Sequence, residues 1–328
     1  MNRRDFLKNS SVAAAAALLA SQGLDPARAQ DDQTYTMVTF LSGIDYWKDC
    51  YRGMQDAAEY LGVKATYTGT PEYDITAEVR VLEETIAQQP AGILVTIANA
   101  EALQAPINSA IEADIPLVAF DADSPLSKRY SFVGTGNYYA GVVAARYIGP
   151  IVKSGKVGVV TRPSQGNLAQ RTAGFKDTLK AEFPDVVLDD ANIIDNEGST
   201  TVTATKTSAI LQAEPDIKGF FSTSAESAVG VSQALRESGK IADIAHIGFD
   251  YDEATLDLID RGELGATLAQ GTWQMGFWGM LFVYMVRNGK IKSVSDWKSA
   301  GISPLPPNVD TGVVVITKDN SKFWRAAK

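Results

Sequence analysis

The chain has very little of the chemistry on which most enzymes and metal sites depend. Its 328 residues include one cysteine, Cys50, and one histidine, His246. A single cysteine excludes a disulfide within the chain. A single histidine gives little support to a Ser-His-Asp triad, a Cys-His pair or a cluster of metal ligands. We interpret His246, which lies in an apolar stretch, as a core residue, and we expect neither a metal site nor an enzyme.

Nucleotide-binding loops, basic clusters and long apolar runs are also missing. Gly134 to Tyr139 begins like a dinucleotide-binding loop, but Tyr139 stands where the third glycine belongs. No phosphate loop of the Gly-x-x-x-x-Gly-Lys type is present, so we expect no cofactor. The net charge of −9 argues against a nucleic-acid partner. The apolar run from Gly276 to Val286 is far shorter than the roughly 20 residues that span a bilayer, which predicts a buried helix.

The N-terminal region has the layout of a bacterial export signal. The pair Arg3-Arg4 precedes a short apolar stretch, Val12 to Ala20, and then a small-x-small sequence that ends at Ala29. This order is typical of a twin-arginine signal peptide. We therefore predict that residues 1–29 are removed by cleavage after Ala29 and that the mature chain is periplasmic.

One short sequence pattern occurs twice in the chain. Residues 115–121 and 244–250 are both apolar runs of strand length that end in Phe-Asp, at Asp121 and Asp250. Each follows a helical stretch and an earlier apolar strand that is introduced by proline. In open α/β sheets the ligand site lies beyond the carboxyl ends of the strands. The repetition predicts two similar units that each present a carboxylate to one ligand.

Strand and helix patterns alternate along the chain, which is typical of parallel sheets covered by helices on both faces. The length favours two domains. We expect an α/β fold with two doubly wound parallel-sheet lobes that are joined by short strand-like crossings, the last of them in the proline-rich stretch 303–308. Asp45 is the expected N-cap of the first helix. Strands are expected at 34–41, 64–68, 92–96, 116–120, 131–134, 156–161, 186–194, 218–222, 244–249, 265–269 and 312–317, and helices at 46–61, 75–87, 102–113, 139–152 and 168–183.

Two aromatic residues and two acids are the first candidates for ligand contact. Tyr46 and Trp47 stand at a helix start just after a strand, where an aromatic face can stack on a sugar or polyol. Trp47 fits the helix's inner stripe equally well, so a core role stays open. Asp121 and Asp250 can each accept hydroxyl hydrogen bonds. The alternative for both is a helix N-cap.

Arg171 and Gln270 are weaker candidates when each is taken alone. Arg171 lies one position away from the apolar stripe of its helix, so its planar guanidinium could point towards a ligand or towards solvent. Gln270 ends a strand and can both donate and accept hydrogen bonds, although it could equally be a surface residue. Pairs of carboxylates could also support glycosidase chemistry, but nothing in the sequence marks such a pair.

Several of these stretches together resemble the periplasmic sugar-binding proteins of the ribose-binding type. The most specific are Ile247 to Asp250, the stretch from Gly262 to Gln270, and the run from Arg171 to Phe175, which fits Arg-x-x-Gly-Phe. The paired aromatics and Asp121 also fall at matching places. The resemblance covers nearly the whole mature chain and implies the type I periplasmic binding protein fold, in which two lobes are joined by a multi-strand hinge.

The resemblance also implies lobe boundaries and a binding set. The N-terminal lobe would comprise residues 33–136 and 272–302, and the C-terminal lobe residues 137–271 and 303–328. Asn137, at a lobe crossing, and Thr96, at a strand end, join the set as weaker members. The implied ligand-binding residues are Tyr46, Trp47, Thr96, Asp121, Asn137, Arg171, Asp250 and Gln270.

The chain departs from the family pattern at two places. Many relatives have Asn-Asp where this sequence has Ser224-Ala225, and many have arginine where it has Ala122. These differences argue against ribose as the ligand. A hexose, a deoxyhexose or a sugar alcohol is expected as readily as ribose.

The implied function is the capture of a monosaccharide or sugar alcohol between two closing lobes and its delivery to the membrane permease of an ABC importer. The protein is expected to be a monomer. A sugar or furanosyl-signal receptor that serves chemotaxis or a sensor kinase would have the same cleft chemistry and stays open. A secreted carbohydrate-active enzyme is a further alternative. A sugar-responsive transcription regulator would need a DNA-binding headpiece where this chain has an export signal.

Overall fold

The computed structural model describes residues 33–291 and 293–325. The predicted signal peptide, residues 1–29, lies outside the described residues. The described chain forms two compact units, and it passes from one to the other after Val133, Thr272 and Pro307. Unit 1 therefore contains the segments before Gly134 and between Trp273 and Pro307, and unit 2 contains the rest.

Unit 1 is built on parallel strands, and its five strands run in the order β5-β4-β3-β1-β2. Strands β3 and β4 are buried at every residue. Their unbroken apolar sequences are typical of a parallel sheet that helices cover on both faces. The strands are β1 (Thr34–Thr39), β2 (Lys64–Gly69), β3 (Gly92–Val95), β4 (Leu117–Phe120) and β5 (Ser131–Gly134), and the helices are α1 (Asp45–Leu61), α2 (Ile75–Ala87), α3 (Gln104–Glu112) and α9 (Thr272–Arg287).

Unit 2 repeats this architecture with one antiparallel edge. Its sheet runs in the order β13-β11-β10-β9-β6-β7, with β8 also paired to β6, and only β13 is antiparallel to its neighbour. The strands are β6 (Gly155–Thr161), β7 (Val186–Val187), β8 (Ile193–Asp195), β9 (Gly219–Ser222), β10 (Ala245–Phe249), β11 (Ala266–Gln270), β12 (Asn308–Asp310) and β13 (Val313–Ile316), and the helices are α4 (Asn137–Val152), α5 (Gly166–Glu182), α6 (Thr200–Ala213), α7 (Ala225–Glu237) and α8 (Glu253–Arg261).

Two helices of unit 1 touch through glycines that face each other's backbone. A Cβ atom on Gly53 of α1 would lie 2.0 Å from the Trp273 carbonyl oxygen of α9. A Cβ on Gly276 of α9 would lie 1.8 Å from the Cys50 carbonyl oxygen of α1. Only glycine permits so close an approach. The contact fixes α1, whose first turn carries Tyr46.

Unit 2 has the same device between α4 and α5. A Cβ on Gly141 would lie 2.0 Å from the Arg171 carbonyl oxygen, and a Cβ on Gly174 would lie 1.9 Å from the Tyr138 carbonyl oxygen. Next to Gly174 in the sequence, Phe175 packs against the ring of Phe221, with 5.0 Å between centroids. The glycine and the phenylalanine of the Arg-x-x-Gly-Phe run therefore dock α5 so that Arg171 is held in place.

The run from Gly276 to Val286 is helical and lies within α9. Met275, Met280 and Val283 are fully buried, whereas Trp278 is 45% exposed, so only one face of this helix belongs to the core. Among the helices of residues 33–291 and 293–325, none has the length and apolar content needed to cross a membrane.

Two local predictions are wrong. Asp45 is not the N-cap of α1, because the cap is Ile44, which makes no side-chain capping bond. Asp45 is instead the first helical residue and pairs with Lys48 at 2.6 Å. The strand expected at 186–194 is interrupted by a short 3₁₀ turn, Asp190–Asn192. Aspartate and asparagine favour such turns because their side chains compete for backbone hydrogen bonds.

The glycine contact between α4 and α5 leads to a stability prediction. Gly174→Ala should lower the free energy of unfolding by about 3 kcal/mol, because the new methyl group would overlap a backbone carbonyl that cannot move away cheaply. Thermal and urea unfolding followed by circular dichroism would measure the change. Gly166→Ala is the matched control on the same helix, since nothing lies within 4 Å of its added Cβ. Equal stability of the two variants would contradict the close contact.

Candidate functional site

The candidate site of unit 2 lies at the carboxyl edge of its parallel strands. Strands β9, β10 and β11 are adjacent and parallel, so their ends meet along one edge. Thr223 follows β9, Asp250 follows β10, and Gln270 ends β11. Polar groups at the carboxyl ends of such strands are well placed to face a ligand.

Arg171 is the residue that connects these strand ends. Its side chain extends from α5, and the residue is only 3% exposed. Nε donates to Asn137 Oδ1 at 2.8 Å, Nη1 donates to the Thr223 carbonyl oxygen at 2.8 Å, and Nη2 donates to Gln270 Oε1 at 3.1 Å. The guanidinium carbon also lies 3.6 Å from the centre of the Phe249 ring. These contacts hold the guanidinium in a single orientation.

Gln270 links the arginine to the acid. Its Oε1 accepts from Arg171 and also from Thr135 Oγ1 at 2.7 Å. Its Nε2 donates to Asp250 Oδ1 at 2.8 Å. Because cationic and hydroxyl donors surround one end of the amide and a carboxylate lies at the other, the amide has only one favourable orientation. Within the described residues, Oδ2 of Asp250 accepts no protein hydrogen bond and can receive one from a ligand.

The carboxyl group of Asp250 is harder to ionise than an ordinary aspartate. Loss of water around the half-buried group raises its pKa to about 6, although the charge of Arg171 and the hydrogen bond from Gln270 act in the opposite direction. The nearby carboxylates of Asp252 and Glu226 raise this pKa further. The carboxylate is nonetheless the predominant form at neutral pH, so it can accept hydroxyl hydrogen bonds there.

The two repeated aspartates share an unusual backbone conformation. Asp121 has φ +61° and Asp250 has φ +70°, in the left-handed region that non-glycine residues seldom occupy. Their backbone N–H groups donate to Val133 and Leu268 of the neighbouring strands, at 3.2 Å and 2.9 Å. The N-cap alternative is wrong for Asp250, because the N-cap of α8 is Asp252. No described helix begins directly after Asp121, so it is not an N-cap either.

In unit 1 the structure brings together Tyr46, Trp47 and Asp121. The Tyr46 hydroxyl donates to Asp121 Oδ1 at 2.6 Å. Trp47 is only 2% exposed, and its ring packs edge-on against Tyr46, Phe40 and Phe120. In this conformation Trp47 is a core residue, and its ring packs against the ring of Tyr46. Tyr46 is half-buried, and its hydroxyl makes the hydrogen bond to Asp121.

Thr96 lies just beyond the end of β3 and is fully buried. Its backbone N–H donates to the Val38 carbonyl oxygen at 3.1 Å. In the described part of the chain, its hydroxyl has no hydrogen-bond partner. The predicted residues therefore form a group of four in unit 2, made of Asn137, Arg171, Asp250 and Gln270, and a group of three in unit 1, while Thr96 makes no polar contact with the latter.

The prediction that Arg171 lies beside the apolar stripe needs correction. The structure places it on the buried face of α5 itself, together with Leu168 and Phe175. Sequence reasoning also missed Thr135 and Thr223. Thr135 was visible in the glycine-rich stretch that was considered only as a nucleotide loop. Thr223 acts through its backbone carbonyl, which leaves no signal in the residue type.

His246 is a core residue, in agreement with the sequence interpretation. It is 3% exposed, with Ser222 Oγ 2.9 Å from Nε2 and Ser232 Oγ 3.3 Å from Nδ1. Burial lowers its pKa to about 3, so the ring is neutral at physiological pH. Among the described residues, no three His, Cys, Asp or Glu side chains are grouped so that they could hold a metal ion.

Comparison with known proteins identifies the class of this chain. The family described as "Periplasmic binding protein domain" matches residues 35–291. Since this match spans well over half of the sequence, the chain belongs to that family. The predicted family and its two-sheet α/β fold are thus confirmed.

Individual relatives agree with the family match. A sugar ABC transporter sugar-binding protein from Bacillus halodurans is 40% identical, covers 89% of this chain and 100% of its own, and superposes with a TM-score of 0.86. AraP, an arabinose binding protein from Geobacillus stearothermophilus, is 41% identical, with 90% and 100% coverage and a TM-score of 0.83. The xylose/arabinose-binding protein XylF of Sulfolobus acidocaldarius is 29% identical over 82% of this chain and 67% of its own. All three are named as binding proteins and none as an enzyme.

The raised pKa of Asp250 leads to a test of site electrostatics by unfolding. A folded-state pKa near 6, against the usual 3.8, means that the folded protein holds this proton more tightly than the unfolded chain. The contribution of Asp250 to stability therefore falls as the pH rises from about 4 to about 6 and stays low above that. Asp250→Asn lacks this loss, so its stability relative to wild type should improve by about 2 kcal/mol between pH 4 and pH 8.

Melting temperatures of both proteins across this pH range would measure the difference. Asp243→Asn is the control, since Asp243 is an exposed aspartate of the same unit. A stability difference that is the same at pH 4 and at pH 8 would show that Asp250 titrates as an ordinary acid.

Proposed function

We propose that this protein captures a neutral monosaccharide and delivers it to the membrane permease of an ABC importer. The observation that carries the proposal is the connected group of Arg171, Gln270 and Asp250 at the carboxyl edge of the unit 2 sheet. It places fixed donors and a carboxylate acceptor side by side, which suits a ligand whose hydroxyl groups both donate and accept.

The charges of this group favour a neutral ligand over an anionic one. Arg171 contributes one buried positive charge, and Asp250 contributes a negative charge beside it. The Arg171 guanidinium donates hydrogen bonds to Asn137, to the Thr223 carbonyl oxygen and to Gln270. Asp250 Oδ2 accepts no bond from the described protein, so a ligand hydroxyl can donate to it in a charge-assisted hydrogen bond.

The group in unit 1 supplies a second set of sugar contacts in this proposal. The half-buried ring of Tyr46 offers an apolar face, and its hydroxyl and Asp121 offer polar atoms next to it. A ligand that engages both groups would stabilise the conformation in which both can reach it, by its differential affinity for that state. This differential affinity is the support for the proposal that two lobes close on the ligand.

An aldopentose of the arabinose type is the first ligand to test. The support is the similarity to relatives that are named for arabinose and xylose, combined with a site that presents neutral-ligand chemistry. Export by the twin-arginine route, with cleavage after Ala29, belongs to the same proposal and rests on the sequence of residues 1–29.

The binding prediction can be tested by thermal shift and calorimetry. Arabinose should raise the melting temperature of the wild-type protein by mass action, and a panel of pentoses, hexoses and sugar alcohols would rank the alternatives. Asp250→Ala should weaken binding of the best ligand by about 100-fold, since a hydrogen bond to a charged group contributes about 1.5–3 kcal/mol.

Asp243→Ala is the control for loss of an exposed carboxylate, and circular dichroism would establish that both variants fold. Failure of every neutral sugar and polyol to bind the wild-type protein would overturn the proposed function. Unchanged affinity in folded Asp250→Ala would remove Asp250 from the site.

A further inference from the structure

An ion pair lies on the other side of Asp250 from Gln270, along the same edge of the unit 2 sheet. Arg162 directly follows β6, and Glu226 lies in the first turn of α7, which follows β9. Arg162 Nη2 donates to Glu226 Oε1 at 2.9 Å. Their side chains are 27% and 28% exposed, so the ion pair is half-buried.

The pair belongs to the neighbourhood of Asp250 for two reasons. Strands β6, β9 and β10 are consecutive and parallel, and neighbouring strands lie about 4.8 Å apart. The Thr223 N–H donates to the Val160 carbonyl oxygen at 2.9 Å, which aligns the ends of β9 and β6. In addition, the Glu226 charge contributes to the raised pKa of Asp250, so the two carboxylates are within electrostatic range.

Arg162 is poorly satisfied by the protein, in contrast to Arg171. Its Nε is buried, and no acceptor contacts it within the described residues. The side-chain amide nitrogen of Asn196, a fully buried residue just after β8, lacks a partner as well. Buried donors without partners cost free energy and call for an explanation. An ion pair that served only stability would gain nothing from a buried donor without a partner, because such a donor costs free energy.

The backbone at Gly198 makes room for this arginine. A Cβ at this position would lie 2.7 Å from Arg162 Nη2 and 3.0 Å from its Cζ, and the residue has φ +73°. The guanidinium therefore rests directly against the main chain of the loop after β8. The Gly198 N–H donates to Asn196 Oδ1 at 3.0 Å, which fixes the loop that supports it.

Two arginines and two acids thus lie along this edge of the sheet, with Arg171 reaching it from α5. Arg171 and Asp250 form the group described above, and Glu226 and Arg162 continue it over the next two strands. The formal charges of these four side chains cancel, and the nearby Asp252 carboxylate adds a negative charge, which disfavours a sugar acid or a sugar phosphate. A hydroxyl group that meets Arg162 and Glu226 together could accept from the guanidinium and donate to the carboxylate.

We propose that Arg162 and Glu226 are specificity-determining residues that recognise one hydroxyl group of the sugar bound beside Asp250. This assignment rests on the proposed function and adds to it the residues that would distinguish one stereoisomer from another. A site that hydrogen-bonds a particular hydroxyl discriminates strongly against ligands that lack it, because its own polar groups are then left unpaired.

The test compares affinities for aldopentoses that differ in the configuration of one hydroxyl group. Calorimetry would give dissociation constants of the wild-type protein, Glu226→Gln and Arg162→Met for each sugar. For the best-bound pentose the affinity of both variants should fall 10-fold or more. For the epimer that does not present the contacted hydroxyl it should change less than about twofold, so that the preference between the two sugars is largely lost.

Arg146 and Glu182 form the matched control pair. They are an exposed arginine and glutamate of the same unit, paired at 2.7 Å, with side chains 52% and 39% exposed. Arg146→Met and Glu182→Gln change the charges in the same way and should leave the preference intact. Melting temperatures would confirm that all four variants are folded.

The outcomes separate this inference from the proposed function. If the wild-type protein binds no neutral sugar, the proposed function fails and the specificity role falls with it. If it binds a pentose but folded Glu226→Gln and Arg162→Met keep the wild-type preference, or lose affinity equally for every sugar, the specificity role alone is overturned. Selective loss in the Arg162 and Glu226 variants, with none in the control pair, supports it.

Discussion

The buried positive charge of Arg171 is the constraint on which the candidate site of unit 2 depends. A buried guanidinium without partners would be strongly destabilising, so its contacts must form when the unit folds. Those contacts come from three separate parts of the chain, at Asn137, Thr223 and Gln270. The same bonds orient Gln270 towards Asp250. Folding of this edge and preorganisation of the binding groups are therefore one process.

The two units position Asp121 and Asp250 through the same local backbone conformation. In each, a fully buried phenylalanine ends a strand, and the aspartate that follows turns the backbone into the left-handed region. Aspartate tolerates this conformation better than most residues, but it still carries a cost. The reciprocal glycine contacts, α1 with α9 and α4 with α5, form a second correspondence between the units. Both devices position side chains that we assign to the ligand.

The sequence predicted the fold well because hydrophobic periodicity and strand-end signals are local. Alternating patterns gave most of the elements, and the repeated Phe-Asp phrase located both acids. The burial of Arg171 was not predictable, because its partners are distant in sequence and one is a backbone carbonyl. The prediction of one strand over 186–194 was wrong because the segment is apolar at both ends but contains a polar turn, Asp190–Asn192, between them. Arg162 and Glu226 could have been found by extending the strand-end argument to β6 and β9.

Several energetically unfavourable features of unit 2 lie where the ligand is proposed to bind. Asp250 has a raised pKa, and Arg162 Nε and Asn196 Nδ2 lack partners. Hydroxyl groups that donate to Asp250 would stabilise its charged form and lower that pKa. By linkage, binding near pH 6 would then release a proton from the protein, and ligand affinity would rise with pH through that range. A site that is strained in this way gains more from its ligand than one already satisfied, because binding also relieves part of the cost of folding.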